Sequence, residues 1–392
     1  MKMTYLIQTM SLSALLMTSC TSTETGSTDH VTTTNLETKK PKKEAIPTLS
    51  ELEQNADIIW LGEAEVDYAL NYNRWDYDKE DPERLLMENL GFKSRNSFKI
   101  LKYQVTDLNA SHNDDHDLFE KVLKNRREMT FYKDATLKDK YASKEVERLI
   151  GRVDTIFTFD PKTMKEQQQV VVNALDPETV RAFRLRQVIY YSQKEMTFKS
   201  IALAIAPLAY EKTSNTPASP ADLKPLFWMK PEVLTAAPDL SSSTVTWAKR
   251  MYRNFDLSTV KMIKQEQDIS VVIEMMMKGF RENAATTKLG YTFDADGTEY
   301  LKAEEIKHLG ASIDTIITFD PKTFKETNQV VKSKMNGSDI KNLRLLQDWV
   351  WNDKTKSLSI RYVGFAPIIN RVDAMGNFLN SGPMFVRKVE DI

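Results

Sequence analysis

Cysteine is nearly absent: Cys20 is the single thiol in 392 residues. One Cys excludes an internal disulfide, and four scattered histidines beside a lone thiol are poor material for a zinc site. Glycine is scarce as well, with 12 residues, and no G-x-S-x-G elbow, phosphate-binding loop or dinucleotide fingerprint occurs. Charge of one sign is missing too. The 54 Lys and Arg face 55 Asp and Glu, so nothing in the balance argues for nucleic acid as a partner. Beyond the first twenty residues no run is apolar enough to span a membrane. His30 and His308 have no sequence neighbour that would make either a catalytic base, and carboxylates are too plentiful for sequence to select a pair. The chain therefore reads as a non-enzyme that holds no cofactor and no metal.

What the chain does contain begins at Cys20. It closes the run Leu12-Ser13-Ala14-Leu15-Leu16-Met17-Thr18-Ser19, a small residue standing directly before the Cys, which has the shape of a bacterial lipoprotein signal. The apolar region from Leu6 to Met17 is interrupted by Gln8, Thr9 and Ser11 and is shorter than the roughly 20 residues of a membrane span, which favours cleavage over retention. The expectation is a signal peptide over 1–19, a lipidated Cys20 and a tether over 20–50, rich in Thr and Ser and carrying Lys39, Lys40, Lys42 and Lys43. Only Glu24 is acidic close behind Cys20, which favours an outer-membrane lipoprotein facing the periplasm. Thr48 and Glu51 have capping-box spacing ahead of a helical stretch predicted to lead to Trp60.

The chain also repeats itself. Residues 154–171, DTIFTFDPKTMKEQQQVV, return as 314–331, DTIITFDPKTFKETNQVV, and the same offset continues through Arg184 and Arg344, Gln187 and Gln347, and Ala206-Pro207 and Ala366-Pro367. In each copy the alternation at Val153, Thr155, Phe157 and Phe159 predicts a strand, Asp160-Pro161-Lys162-Thr163 a type I turn, and Gln169 to Val172 a returning strand. A second hairpin follows, with tips at Ser192 to Glu195 and Asn352 to Thr355. Its row Leu185, Gln187, Ile189 and Tyr191, matched by Leu345, Gln347, Trp349 and Trp351, reads as core. Helices are predicted at 117–127 and 142–150, and again at 270–281 and 298–309. The fold class is α+β: two homologous units, 51–235 and 243–392, each with N-terminal helices followed by antiparallel hairpins, joined across Ala236 to Ser243.

Two clusters invite a metal reading and neither holds it. His112 and His116 flank Asn113, Asp114 and Asp115, but these acids suit a helix start at Asp117. Asp294-Ala295-Asp296-Gly297 lacks both the leading Asp and the bidentate Glu of a calcium loop and reads as a turn. Assembly surface is the more promising kind of site, with Trp228 in Leu226-Phe227-Trp228-Met229 and the run Met275 to Phe280 as candidates.

The segment WAKRMYRNFDL from Trp247 to Leu257, the turn at Asp296-Gly297, the strands around DPKT and the run LRLLQDWVWNDKTKSLSIRYVGFAPI together resemble the GldN/PorN family of Bacteroidetes gliding motility and type IX secretion. The resemblance spans 245–388 and is looser in the first half, where Glu65-Val66 stands in place of Tyr252-Arg253. It implies a periplasmic structural subunit that assembles with a GldK/PorK-like outer-membrane lipoprotein into rings and meets a GldM/PorM-like motor protein, as a homo- or hetero-oligomer. Trp247, Tyr252, Arg253 and Asp256 join Trp228 as candidate contact residues. The alternative is a surface lipoprotein that binds glycan or peptide. For Arg253 the opposing reading is internal: a pair with Asp256 or a nearby carbonyl.

Overall fold

Thr48 starts the first helix, α1 (Leu49–Gln54), with both halves of a capping box in place: its hydroxyl accepts from Glu51 N at 3.3 Å, and Glu51 Oε2 accepts from Thr48 N at 2.6 Å. In this computed structural model, residues 45–70, 96–103, 117–159, 166–175, 177–209, 223–291, 299–319, 322–323, 325–372 and 378–392 are described. The helix stops well short of Trp60, contrary to expectation, and Trp60 lies in strand β1 (Ile58–Ala69). The reason is a period of two: Ala64, Val66 and Tyr68 are buried while Glu65 between them is exposed.

The first half continues through β2 (Asn96–Tyr103), α2 (Asp117–Lys124), α3 (Ser143–Ile150), β3 (Gly151–Phe159), β4 (Glu166–Ala174), β5 (Val180–Ser192), β6 (Thr197–Ala209), β7 (Lys224–Pro225) and β8 (Glu232–Leu234). The second half supplies β9 (Val245–Asp256), β10 (Lys261–Gln265), α4 (Ile269–Glu282), α5 (Ala303–Lys307), β11 (Ala311–Phe319), β12 (Glu326–Lys334), β13 (Asn342–Asn352), β14 (Ser357–Val372), β15 (Phe378–Pro383) and β16 (Arg387–Lys388). The composition is mixed, as expected, but strands dominate and the predicted order is corrected. Only the short α1 precedes the strands; after it each half begins with two strands, and the remaining helices lie between strands rather than ahead of all of them.

Two antiparallel sheets form the body. One runs β10-β1-β5-β6-β7 and the other β15-β14-β13-β9-β2, with β16 also on β14 and β8 joining β14 as a parallel strand. The halves therefore exchange a strand. β2 of the first half extends the sheet of the second, from Asn96 opposite Arg253 to Tyr103 opposite Trp247, and β10 of the second half extends the sheet of the first, from Lys261 opposite Glu63 to Gln265 opposite Trp60. Gly62 permits that approach. A Cβ there would come within 2.3 Å of Val260 Cγ1 and 3.2 Å of the Lys261 carbonyl. Residues 44–392 accordingly cluster as one compact unit.

The two sheets contribute to a single core. Tyr68 lies 5.0 Å from Trp349 and Phe198 5.3 Å from Phe365, centroid to centroid, both pairs crossing between the sheets. Helix α2 adds Leu118, Phe119 and Val122 to this core, and α4 adds Val272, Ile273, Met276, Met277 and Phe280. Leu52 of α1 packs with Ile58, Leu61, Val188, Tyr190 and Ile201 in a separate cluster on the other side of the first sheet.

The hairpins β3–β4 and β11–β12 stand apart as two-stranded sheets. Their registers match position for position: Asp154 opposes Val171 and Phe159 opposes Glu166 in one, as Asp314 opposes Val331 and Phe319 opposes Glu326 in the other. Each is closed at its base by one backbone bond, Leu175 N to Ile150 O and Met335 N to Gly310 O, both 2.7 Å. Most of the predicted DPKT turns fall outside the described residues; Lys322-Thr323 is a turn.

Candidate interaction surfaces

The strand register tests the sequence alignment of the halves. Val66 opposes Leu185 in β5, and Arg253 opposes Leu345 in β13, so Val66 and Arg253 occupy equivalent places, as do Trp60 and Trp247. The predicted contact residues nonetheless do not gather into one exposed patch. Trp247 is 1% exposed and belongs to the main core, because it sits on the inward row of β9 with Met251 and Phe255. Trp228 is buried as well. Its backbone exchanges bonds of 2.8 and 2.9 Å with Tyr132, and its ring packs on Ala204 and Ala206 beside Ala135 and Leu137, so it straps the first sheet instead of presenting an aromatic anchor. Tyr252 is buried among Leu346, Val363, Ala366 and Val386.

Arg253 is half-buried, and its charge is felt at Tyr68, whose phenol pKa is pushed up by complete burial and partly restored by that cation. Asp256 is exposed, and its Oδ1 accepts from Ser258 N at 2.8 Å, capping the turn at Leu257. Cys20, His112, His116 and the Asp294 to Gly297 turn lie outside the described residues. In the Met-rich run, Met276, Met277 and Phe280 are core, and Met275 is the methionine left at the surface. Trp60, Trp349 and Trp351 are also inside, so these three rings are not available for stacking on a glycan; Trp75 lies outside the described residues.

At the centre the repeat meets itself. Gln187 and Gln347, equivalent residues of the two halves, are 0% and 1% exposed, and Gln347 Nε2 donates to Gln187 Oε1 at 2.8 Å. Ser200 Oγ donates to the same Oε1 at 2.8 Å, and Tyr68 OH donates to Gln347 Oε1 at 2.9 Å. This bond joins the pair in one alignment of the two sheets and would be lost in others, although Gln187 Nε2 stays buried without a hydrogen-bond partner among the described residues. Lys249 ties the halves a second time: it occupies the place Gly62 has in β1, and its buried ammonium donates to the Leu70 carbonyl at 3.0 Å. Sequence reasoning missed β1 and β9 as strands partly for this reason. Lys249 and Arg253 fall on the inward row between Trp247, Met251 and Phe255 and break the apolar alternation, so the remaining spacing imitates a helix.

The hairpins β3–β4 and β11–β12 are the strongest candidate surface. Across 154–171 and 314–331 they differ only at Phe157/Ile317, Met164/Phe324, Gln167/Thr327 and Gln168/Asn328. Strands β5 and β13, which lie in the core, share only Arg184/Arg344, Leu185/Leu345 and Gln187/Gln347 over 180–192 and 340–352. A two-stranded ribbon also leaves both outer strand edges with unpaired backbone groups, a template for another chain. The profile of the family described as Gliding motility associated protein GldN matches residues 99–235 and 240–392. The chain belongs to the GldN family. The match falls in two segments, and each contains one ribbon. Among curated proteins none matches the chain. GldN membership makes this a component of gliding motility and type IX secretion, a structural class rather than an enzyme class, associated with the cell envelope. No helix among the described residues is long and apolar enough to cross a membrane.

Proposed function

We propose that the chain is a non-enzymatic assembly subunit of the type IX secretion and gliding machinery, built from two GldN-like units over 51–235 and 243–392 and held to the periplasmic side of the outer membrane by a lipid on Cys20. Its partners are a GldK/PorK-like lipoprotein and a GldM/PorM-like motor protein, as in the family it belongs to. The observation that carries this reading is the pair of nearly identical ribbons on a body whose two halves have diverged. Divergence in the body follows from the exchange of strands: each copy packs against different neighbours, so its core residues are free to differ. The ribbons form two-stranded sheets of their own, outside the two sheets of the body, and a shared external contact explains why their sequences stay alike. Of the earlier candidates, Arg253 and Asp256 are the ones that reach the surface, while Trp228, Trp247 and Tyr252 are buried in the body.

The anchoring part of the proposal is tested by fractionation. The Cys20→Ala chain is expected to leave the membrane fraction with its melting temperature unchanged, and the unaltered chain is expected to survive protease treatment of intact cells. Rapid loss under protease would place it on the cell surface and sink the periplasmic reading.

A further inference from the structure

The ribbons are shared by the halves, but one cleft is not. It lies between the end of α2 and the start of α3, has a volume of about 840 Å³, and is bordered by five cations, Arg126, Arg127, Lys140, Lys144 and Arg148, against a single carboxylate, Glu147. Phe131 and Tyr141 form part of its wall. Glu147 accepts from Arg126 Nε at 3.2 Å through both oxygens, lies 3.7 Å from Arg127, and so neutralises little of the rim. Arg126 is further fixed by donating to the Leu123 carbonyl at 3.0 Å. The neighbouring Glu145 is engaged elsewhere, by Ala142 N at 2.8 Å and Lys133 at 3.2 Å. Among the described residues no carboxylate lies within ion-pair distance of Lys144 or Arg148.

The second half supplies an internal control. Asn125 and Asn283 each cap a helix end by donating to the carbonyl four residues back, and Tyr141 N to Phe131 O is repeated as Leu301 N to Leu289 O, which aligns the two segments. On that alignment Arg126-Arg127 becomes Ala284-Ala285, Lys140 becomes Tyr300, Lys144 becomes Glu304 and Arg148 becomes His308. The local fold is kept without the cations. They are therefore not required by the architecture, and their convergence on one cleft in one copy has a different cause.

We infer that this cleft binds a phosphate-bearing ligand. Its volume falls in the range of about 300–1,000 Å³ typical of small-ligand sites, well short of a protein-sized surface. The excess of positive charge matches a group with more than one phosphate, each carrying about −1.5 to −2 at neutral pH. Arg127 and Arg148 offer planar forks for phosphate oxygens, and Lys140 and Lys144 supply point charges around them.

The test uses the full chain carrying Cys20→Ala, so that no acyl chain contributes to membrane binding, with pyrophosphate followed by calorimetry and phosphatidylglycerol vesicles followed by sedimentation against phosphatidylcholine vesicles. The comparison variant is Arg127→Ala with Lys144→Glu, substitutions that install the second half's own residues; Arg148→His serves as a second variant should the first fail to fold. Saturable pyrophosphate binding, weakened about tenfold or more by either variant at unchanged melting temperature, is the expected result. If phosphatidylglycerol vesicles are also bound and lost in the variant, the phosphate belongs to a lipid headgroup; pyrophosphate binding alone assigns a soluble ligand. Absence of saturable binding to both probes, equal binding by both variants, or binding of a hexaglutamate peptide as tight as that of pyrophosphate would overturn the assignment.

Discussion

Two regions of this chain have had opposite fates after the same duplication. The ribbons keep their sequence at all but four of the positions in 154–171 and 314–331, while the central strands β5 and β13 keep little beyond an Arg, a Leu and a Gln. The contrast has a physical basis in the exchange of β2 and β10. A strand that must pack beside the other half's strand no longer sees the environment its twin sees, so the two sheets have become distinct partners within one body. Trp349 and Trp351 stand where Ile189 and Tyr191 do, Asp348 where Val188 does, and Lys249 where Gly62 does. A ribbon that meets something outside the chain is under no such pressure, and both copies answer to the same requirement.

The comparison of the two sheets breaks most visibly at Asp348. This carboxylate is 2% exposed and is held by Arg250 at 2.7 and 3.1 Å and by Arg361 at 3.5 Å, whereas the nearest analogue in the first sheet, Asp67 with Arg184 at 2.7 and 3.0 Å, is about a quarter exposed. Asp348→Ala removes a carboxylate shared by two guanidinium groups in a dry site, with Arg361 keeping Glu390 at 3.3 Å, and is expected to cost about 3 kcal/mol, the low end for a broken buried pair; Asp67→Ala, in reach of water, is expected to cost about 1 kcal/mol or less. Chemical denaturation of the two variants checks the difference, and equal losses would mean the sheets are less distinct than their packing implies.

A smaller effect sharpens the point where the halves stay alike. Gln187→Leu or Gln347→Leu alone strands buried partners and should lose about 1–3 kcal/mol. The double variant removes both amides together and should lose clearly less than the sum, a coupling that a double-mutant cycle measures. Additive losses would show that the two glutamines do not act as a pair.

Smallest is the response to acid, which concerns the helix starts the two halves build in the same way. Glu51, Glu145 and Glu305 have carboxyls held below the ordinary carboxylate range, chiefly by the backbone N–H groups of Thr48, Ala142 and Lys302. A depressed folded pKa contributes stability that is present above the unfolded value and is lost as pH falls through the folded one. The melting temperature should therefore decline on acidification below the usual carboxylate range, and a chain with all three changed to Gln should show a shallower decline over the same pH interval.

Much of this architecture was legible locally. The capping box at Thr48, the ribbon strands, the hairpins β5–β6 and β13–β14 and the inward row from Leu185 to Tyr191 all follow from periodicity and turn chemistry, and these signals need no knowledge of the rest of the chain. What was not legible depends on distant partners. β2 and β10 are short strands completed by the other half, and a local window contains nothing about an edge supplied more than a hundred residues away. Trp228 reads as an exposed aromatic because the surface it covers, at Ala204 and Ala206, becomes its neighbour only once β6 has formed. Lys249 and Arg253 hid the period of β9 because a polar residue on an inward row is affordable only when the far half provides its acceptor, as Leu70 does for Lys249. Of the candidate contact residues, Trp228, Trp247 and Tyr252 are buried, because an apolar pattern alone does not say which side of a strand faces out.

The central claim is that the two ribbons, rather than the body, carry the assembly contact. It is tested most directly by shortening both, replacing 153–172 and 313–332 with tight turns that keep Gly151 opposite Ala174 and Ala311 opposite Lys334, and measuring co-purification of the chain with the GldK/PorK-like lipoprotein alongside its melting temperature. The account predicts a chain that melts as before and no longer co-purifies. Full co-purification by the shortened chain would contradict it.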